Sequence, residues 1–196
     1  MEIIIHRVNT LNELKTIDDN YGIEIDIRAY NSNLILNHEP FCDGDKLIDF
    51  LDEYRHGTII LNIKESGIED SVIEIVDKHV NIQSYFLLDI EFPYLCTASK
   101  KVQKNMAIRY SEYESIHTVK QFIDKVGWVW IDTFTKLPIT KTDRKILDKF
   151  KKCLVCPELW SRESDIITYR KILKNMNFKI DAVMTSKSNI NYWTKN

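Results

Sequence analysis

Two acids in one short apolar stretch are the first place where this chain looks equipped for chemistry. Gly22–Arg28 reads Gly-Ile-Glu-Ile-Asp-Ile-Arg. In a β-strand successive side chains point to opposite faces, so Ile23, Ile25 and Ile27 share one face and Glu24, Asp26 and Arg28 the other. An isoleucine face wants helices packed on it. A face with two acids and a base wants water, a metal or a substrate, because carboxylates are almost never buried unless paired or coordinated.

Similar juxtapositions recur along the chain. The apolar run Ile3-Ile4-Ile5 ends in His6-Arg7, and His38 follows the second strand in Asn37-His38-Glu39-Pro40. Asn62 and Lys64 alternate with Leu61 and Ile63. Later runs end near Asp89, offer Arg109 and Ser111, carry Trp130 and Asp132, and lead into Glu158. Each has a plain structural account. A Glu-x-Asp in a strand is commonly a salt-bridged pair, a histidine at a strand end a hydrogen-bonded core residue, Trp130 a core filler, and Lys64 the solvated end of its strand. His56, His79 and His117 read as loop surface. What favours a site is the conjunction of unlike polar groups at so many strand ends.

The elements that must hold these groups alternate regularly. Strands are expected at Ile3–His6, Gly22–Arg28, Thr58–Lys64, Tyr85–Ile90, Met106–Ser111, Trp128–Asp132, Cys153–Pro157 and Ile180–Thr185, with a shorter extended piece at Leu34–Asn37. Between them lie helical stripes: Leu11, Leu14 and Ile17; Leu47, Ile48, Leu51 and Tyr54; Ile68, Val72, Ile73, Ile75 and Val76. The series continues with Tyr94–Gln103, then Val119, Phe122, Ile123 and Val126, then Thr142–Phe150, then Ile166, Ile167, Leu173 and Met176. Eight strands with helical crossovers predict parallel β/α units. Eight units predict an α/β fold, a compact (β/α)8 TIM barrel, in which functional groups gather at the C-terminal strand ends. A doubly wound open sheet is the alternative, and it usually carries a Gly-rich turn after its first strand; here that turn is Arg7-Val8-Asn9-Thr10.

The 196 residues are 44% hydrophobic and 29% charged, with a formal net charge of −2. That balance is ordinary for a globular protein and argues against a basic nucleic-acid-binding domain or a disordered acidic one. No apolar run reaches the ~18–20 residues of a membrane span, and no secretory signal is visible, so a single domain over residues 1–196 with a cytoplasmic location is expected. Cys153 and Cys156 form a C-x-x-C, but they lie in a strand-like segment with no second ligand pair, and the pair reads as small buried hydrophobes.

At these residues the chain resembles the glycerophosphodiester phosphodiesterases, within the barrel phosphodiesterases that include PI-specific phospholipase C. Their pattern of His-Arg-Gly after strand one, Glu-x-Asp on strand two, His-Asp-Pro, and Glu-x-Lys on strand three is matched by His6-Arg7-Val8, Glu24-Ile25-Asp26, His38-Glu39-Pro40 and Asn62-Ile63-Lys64. The match spans the first third of the chain. The resemblance implies a phosphoric diester hydrolase of lipid-headgroup metabolism, acting on a small phosphodiester, with His6 and His38 as the acid/base pair. It implies that Glu24, Asp26 and the residue at Asn62 ligate one divalent cation, Mg²⁺ or Ca²⁺, and that Arg7 and Lys64 hold the phosphate. Arg109, Trp130 and Glu158 are further candidates for substrate contact, from their positions at strand ends.

Three departures stand out. Val8 replaces the usual glycine, Asn62 replaces an acidic ligand, and the next helix begins about ten residues after His38, where many members carry a substrate-covering insertion. Three readings follow: hydrolysis, a lyase reaction that leaves a cyclic phosphate, or a non-catalytic barrel that binds a phosphorylated ligand.

Overall fold

The computed structural model describes residues 1–101 and 104–194. Its elements are β1 (Glu2–Ile5), α1 (Leu11–Leu14), β2 (Gly22–Tyr30), β3 (Asn33–Leu36), β4 (Asp45–Lys46), α2 (Leu47–Glu53), β5 (Ile59–Ile63), α3 (Glu69–Asp77) and β6 (Tyr85–Leu88). They continue as α4 (Phe92–Ala98), β7 (Ala107–Tyr110), α5 (Ile116–Lys120), β8 (Trp128–Ile131), α6 (Arg144–Leu147), β9 (Lys151–Val155), α7 (Asp165–Asn175), β10 (Ala182–Thr185) and α8 (Ile190–Thr194). Setting aside β3 and β4, each strand is followed by a helix. This is the (β/α)8 rhythm expected from the hydrophobic pattern. None of the described helices is long and apolar enough to cross a membrane.

The chain divides into two compact units, Ile4–Cys96 and Thr97–Asn196 with Met1–Ile3. In the first, β2 is central. It pairs in parallel with β1 through Ile4–Gly22 and Ile5–Ile23, and with β5 from Ile23–Ile59 to Ile27–Ile63. β6 extends the sheet beyond β5. Ile23, Ile25 and Ile27 are completely buried, as their shared face requires; each contributes roughly 1.5–3 kcal/mol of hydrophobic stabilisation. The extended piece after β2 proves to be a hairpin arm: β3 runs antiparallel to β2 from Ile27–Leu36 to Tyr30–Asn33, and the two-residue β4 pairs back onto β3. Gly44, just before β4, has no room for a side chain, since a Cβ there would lie 2.2 Å from the Leu36 carbonyl oxygen.

In the second unit, β7, β8, β9 and β10 pair in parallel in that order. Glu2 donates its backbone N–H to the Asp181 carbonyl at 2.8 Å. Cys153 and Cys156 are buried and share no disulfide, and Trp193 Nε1 donates to Cys156 Sγ at 3.0 Å. Both sulfurs therefore act as core atoms.

Several helix faces differ from the expected ones. In α2 and the residue after it, Leu47, Phe50, Leu51 and Tyr54 are buried while Ile48 is exposed. The buried set follows i, i+3, i+4, i+7, and Ile48 lies one step, about 100°, around the helix. In α7 the same rule buries Ile166, Tyr169 and Leu173 and leaves Ile167 exposed. The helix expected at Tyr94–Gln103 runs as α4 and a 3₁₀ turn over Ser99–Lys101; Val102 and Gln103 lie outside the described residues. His56 is not loop surface: its side chain is 4% exposed, with Nε2 3.5 Å from Asp19 Oδ1.

Candidate active site

Seven of the sequence-selected residues belong to the first unit, on β2 and β5 and on the segments that follow β1, β3 and β5. Glu24 and Asp26 are each only 1% exposed. Two neighbouring buried carboxylates need donors, and the chain supplies one to every oxygen. Glu24 Oε1 accepts from Asn62 Nδ2 at 2.8 Å, and Oε2 accepts from the Arg7 backbone N–H at 2.7 Å. Asp26 Oδ1 lies 3.1 Å from Lys64 Nζ. Asp26 Oδ2 accepts from Asn9 Nδ2 at 2.8 Å and faces Arg7 Nε at 3.7 Å.

The turn after β1 is shaped for this. Arg7 has φ +56°, the left-handed region that a non-glycine residue rarely enters, and its N–H meets Glu24 Oε2 from there. The next two residues then follow β2 upward. Val8 donates to the Glu24 carbonyl at 2.9 Å, and Asn9 Oδ1 accepts from the Asp26 N–H at 2.8 Å. Asn9 thus grips Asp26 by backbone and side chain together. Thr10 caps α1 in a capping box with Glu13, which fixes the chain just beyond Asn9. Asn9 was missed in the sequence. Asparagine in a turn before a helix usually means capping, and its partner lies seventeen residues away.

His6 Nε2 is 3.9 Å from Glu24 Oε2. Burial, with the charge of Arg7 beside it, opposes imidazolium and lowers the His6 pKa to about 4. Burial, with the charge of Asp26 next to it, opposes carboxylate and raises Glu24 to about 7. His38 is carried by the segment between β3 and β4 and is more open. Its Nδ1 is 2.7 Å from Glu39 Oε1. Lys64 is mostly shielded and also lies 3.9 Å from Asp89 Oδ2.

Among the described residues no group of three or more His, Cys, Asp and Glu side chains is placed to share a metal ion. A set with Asn62 in it is different. Asn62 Oδ1 is buried and accepts no hydrogen bond, an orphaned acceptor beside two carboxylates. Carboxylate oxygens have lone pairs beyond those one donor engages, and an all-oxygen set suits a hard divalent cation. Glu24, Asp26 and Asn62 therefore fit such an ion, with one charge fewer than three acids would bring.

The remaining candidates belong to the second unit, where Arg109 and Trp130 meet at Asp132 and Glu158 has partners of its own. Trp130 is buried and directs Nε1 to Asp132 Oδ2 at 3.3 Å. Trp160 Nε1 donates to Oδ1 at 2.9 Å. Arg109 pairs with Asp132 and lies 3.5 Å from Glu114. Glu158 Oε1 accepts from Thr185 Oγ1 and from the Ser186 N–H. Arg109, Trp130 and Glu158 are thus each engaged by residues of their own unit.

No family model matches the chain, and no curated protein matches it in sequence. Solved structures do. A glycerophosphodiester phosphodiesterase from Agrobacterium tumefaciens superposes with a TM-score of 0.66 at 12% identity, covering 94% of this chain and 96% of that one. A second structure from the same organism, assigned as a glycerophosphoryl diester phosphodiesterase, gives 0.63 at 9% identity over 94% and 93%. The chain shares the (β/α)8 fold of these two proteins nearly from end to end.

Proposed function

We propose that this protein is a phosphoric diester hydrolase acting on a small glycerophosphodiester-like substrate. The observation that carries the proposal is the gathering of His6, Arg7, Glu24, Asp26, Asn62 and Lys64 into one hydrogen-bonded and ion-paired cluster, on β2 and at the C-terminal ends of β1 and β5. Agreement of the fold with the two phosphodiesterase structures supports it. On this reading the substrate belongs to lipid-headgroup metabolism and is met in the cytoplasm.

Arg7 and Lys64 offer cationic groups to the phosphate and offset charge as the phosphorus centre reacts. His6 is neutral at pH 7 and takes the proton of the attacking oxygen. Glu39 holds His38 Nδ1 and leaves Nε2 to protonate the departing alkoxide. The P–O bond to the attacking oxygen forms as the P–O bond to the alcohol breaks, and one proton passes to each side. If the attacking oxygen is a hydroxyl of the substrate, the first product is a cyclic phosphate. Glu24, Asp26 and Asn62 Oδ1 would hold one Mg²⁺ or Ca²⁺, which supplies Lewis-acid polarisation of a phosphate oxygen when bound.

Purified protein with Mg²⁺ or Ca²⁺ is expected to cleave glycerophosphodiesters, and His6→Ala or His38→Ala to abolish cleavage. Full activity in both variants would overturn the assignment. Phosphorus NMR of the first product separates hydrolysis from cyclisation. A second reading, a non-catalytic barrel that binds a phosphorylated ligand, draws on the donors already present on all four carboxylate oxygens. Calorimetry that finds phosphate binding but no cation binding at millimolar concentration would favour it.

A further inference from the structure

Arg28 shares the face of β2 with Glu24 and Asp26, yet no part of the reaction above uses it. Its side chain is 16% exposed and does not reach either acid among the contacts of this site. It forks instead between two backbone carbonyls. Nε and Nη2 donate to the His38 carbonyl at 3.1 and 2.9 Å, and Nη1 donates to the Lys64 carbonyl at 3.1 Å. These are the residues read as the proton donor and as a phosphate-holding cation.

We propose that Arg28 is a positioning residue that fixes His38 relative to Lys64 through one guanidinium seated on both carbonyls. The inference rests on the functional reading of those two residues. Guanidinium suits the task because its donors form a rigid planar fork, whereas an ammonium is a single point on a flexible stem. The local connections make the fork consequential. The side-chain bond of His38 is to its own neighbour, Glu39, which does not tie it to the sheet. Backbone anchorage of the segment to β2 comes through Asn37, whose N–H donates to the Asp26 carbonyl at 3.0 Å. On the other side, Lys64 donates its N–H to the Ile27 carbonyl at 3.0 Å. Arg28 lies between these anchors and ties one to the other. Glu65 completes the arrangement: Oε1 accepts from the Ala29 N–H at 2.9 Å, while Oε2 faces Arg28 Nη1 at 3.9 Å. It offsets the guanidinium charge without occupying the fork.

The test compares the full chain with Arg28→Lys and Arg28→Met in four measurements: thermal midpoint, kcat and KM with Mg²⁺, the His38 imidazole titration by NMR, and the calorimetric Kd of inorganic phosphate. Arg28→Lys keeps the charge and loses the fork. It is expected to fold, to lose on the order of 10- to 100-fold in kcat, as loss of reacting geometry does, and to shift both the His38 titration and the phosphate Kd. Free guanidinium is expected to restore part of the kcat lost in Arg28→Met. A parent-like kcat, His38 titration and phosphate Kd in Arg28→Lys would overturn the proposal, as would failure of both variants to fold, which marks a purely structural role. If the parent itself cleaves no phosphodiester, the functional reading fails on its own. The His38 titration and phosphate Kd then decide the role of Arg28: moved in Arg28→Lys they support it, unmoved they overturn it.

Discussion

Asn62 Nδ2 donates to Glu24 Oε1 across 2.8 Å, so the amide that stands where a third carboxylate was expected acts as a hydrogen-bond donor to the first. One side chain thereby does two things an acid there would not do. It neutralises part of the Glu24 demand for donors, and it presents an uncharged oxygen, Oδ1, that is buried and unpaired.

Asn62→Asp reverses both effects. The donor is lost and a third negative charge joins Glu24 and Asp26, so the metal-free protein is expected to lose about 1–3 kcal/mol, the cost of an unsatisfied buried group. Mg²⁺ or Ca²⁺ is expected to bind tighter than in the parent, because affinity rises with ligand charge. Thermal midpoints with and without cation check both halves: the variant melts lower than the parent without cation and gains more from its addition.

The opposed shifts of His6 and Glu24 make a pH prediction. His6 lies near 4 instead of 6.5, so folding favours its neutral form and stability from this group is lost as pH falls from 6.5 to 4. Glu24 lies near 7 instead of 4.5, so folding favours its protonated form and stability from this group is lost as pH rises from 4.5 to 7. Between pH 4.5 and 6.5 the two slopes oppose each other. In effect folding moves a proton from His6 to Glu24 with no net uptake. Single variants unmask the slopes. Metal-free His6→Gln is expected to lose stability as pH rises from 4.5 to 7, by up to about 1.4 kcal/mol per unit, while Glu24→Gln gains stability from pH 4 to 6.5. Urea midpoints across that range check the signs.

Asn9→Ala removes both bonds to Asp26 and leaves a buried carboxylate and a backbone N–H each short of a partner. The expected loss is about 2–4 kcal/mol, and Asn9→Asp is expected to be no better, since it places an acid against an acid. Chemical denaturation measures the loss. A loss below about 0.5 kcal/mol in Asn9→Ala contradicts the assigned role.

In the second unit Asp132 is bonded by two indoles, Arg109 and the Thr133 N–H. Asp132→Ala is expected to destabilise by about 2 kcal/mol or more, because two indole donors lose their acceptor and the half-buried Arg109 loses one of its carboxylate partners. Trp160 is partly exposed already, and release of its ring is expected to red-shift the tryptophan fluorescence. An unchanged spectrum with an unchanged midpoint would refute this role.

Much of this arrangement was legible in the chain. Period-two alternation placed Ile23, Ile25 and Ile27 on the buried face and Glu24 with Asp26 on the other, because strand geometry leaves no third choice. The spacing of Leu47, Leu51 and Tyr54 likewise announces α2, although apolarity alone draws Ile48 inward and its angle on the helix points it out. Asn9 and Arg28 were not legible as site-building residues. Their meaning comes from partners ten to thirty-six positions away, and neither asparagine nor arginine advertises a long-range partner in its local sequence. His56 was misplaced for the same reason: a histidine beside glycine reads as a turn until Asp19 and the Ile17 carbonyl are seen against it.

One edge of β2 is satisfied by a relay. β1 runs beside Gly22, Val8 donates to the Glu24 carbonyl, the side-chain amide of Asn9 takes the Asp26 N–H, Asn37 donates to the Asp26 carbonyl, and β3 takes over beyond it. Asn9 is a stand-in peptide unit at the point where the ladder changes from parallel to antiparallel. The consequence concerns His38. It follows directly on a hydrogen-bonded ribbon that begins at the acids themselves, so its backbone is tied to Asp26 through Asn37 before Arg28 takes hold of it.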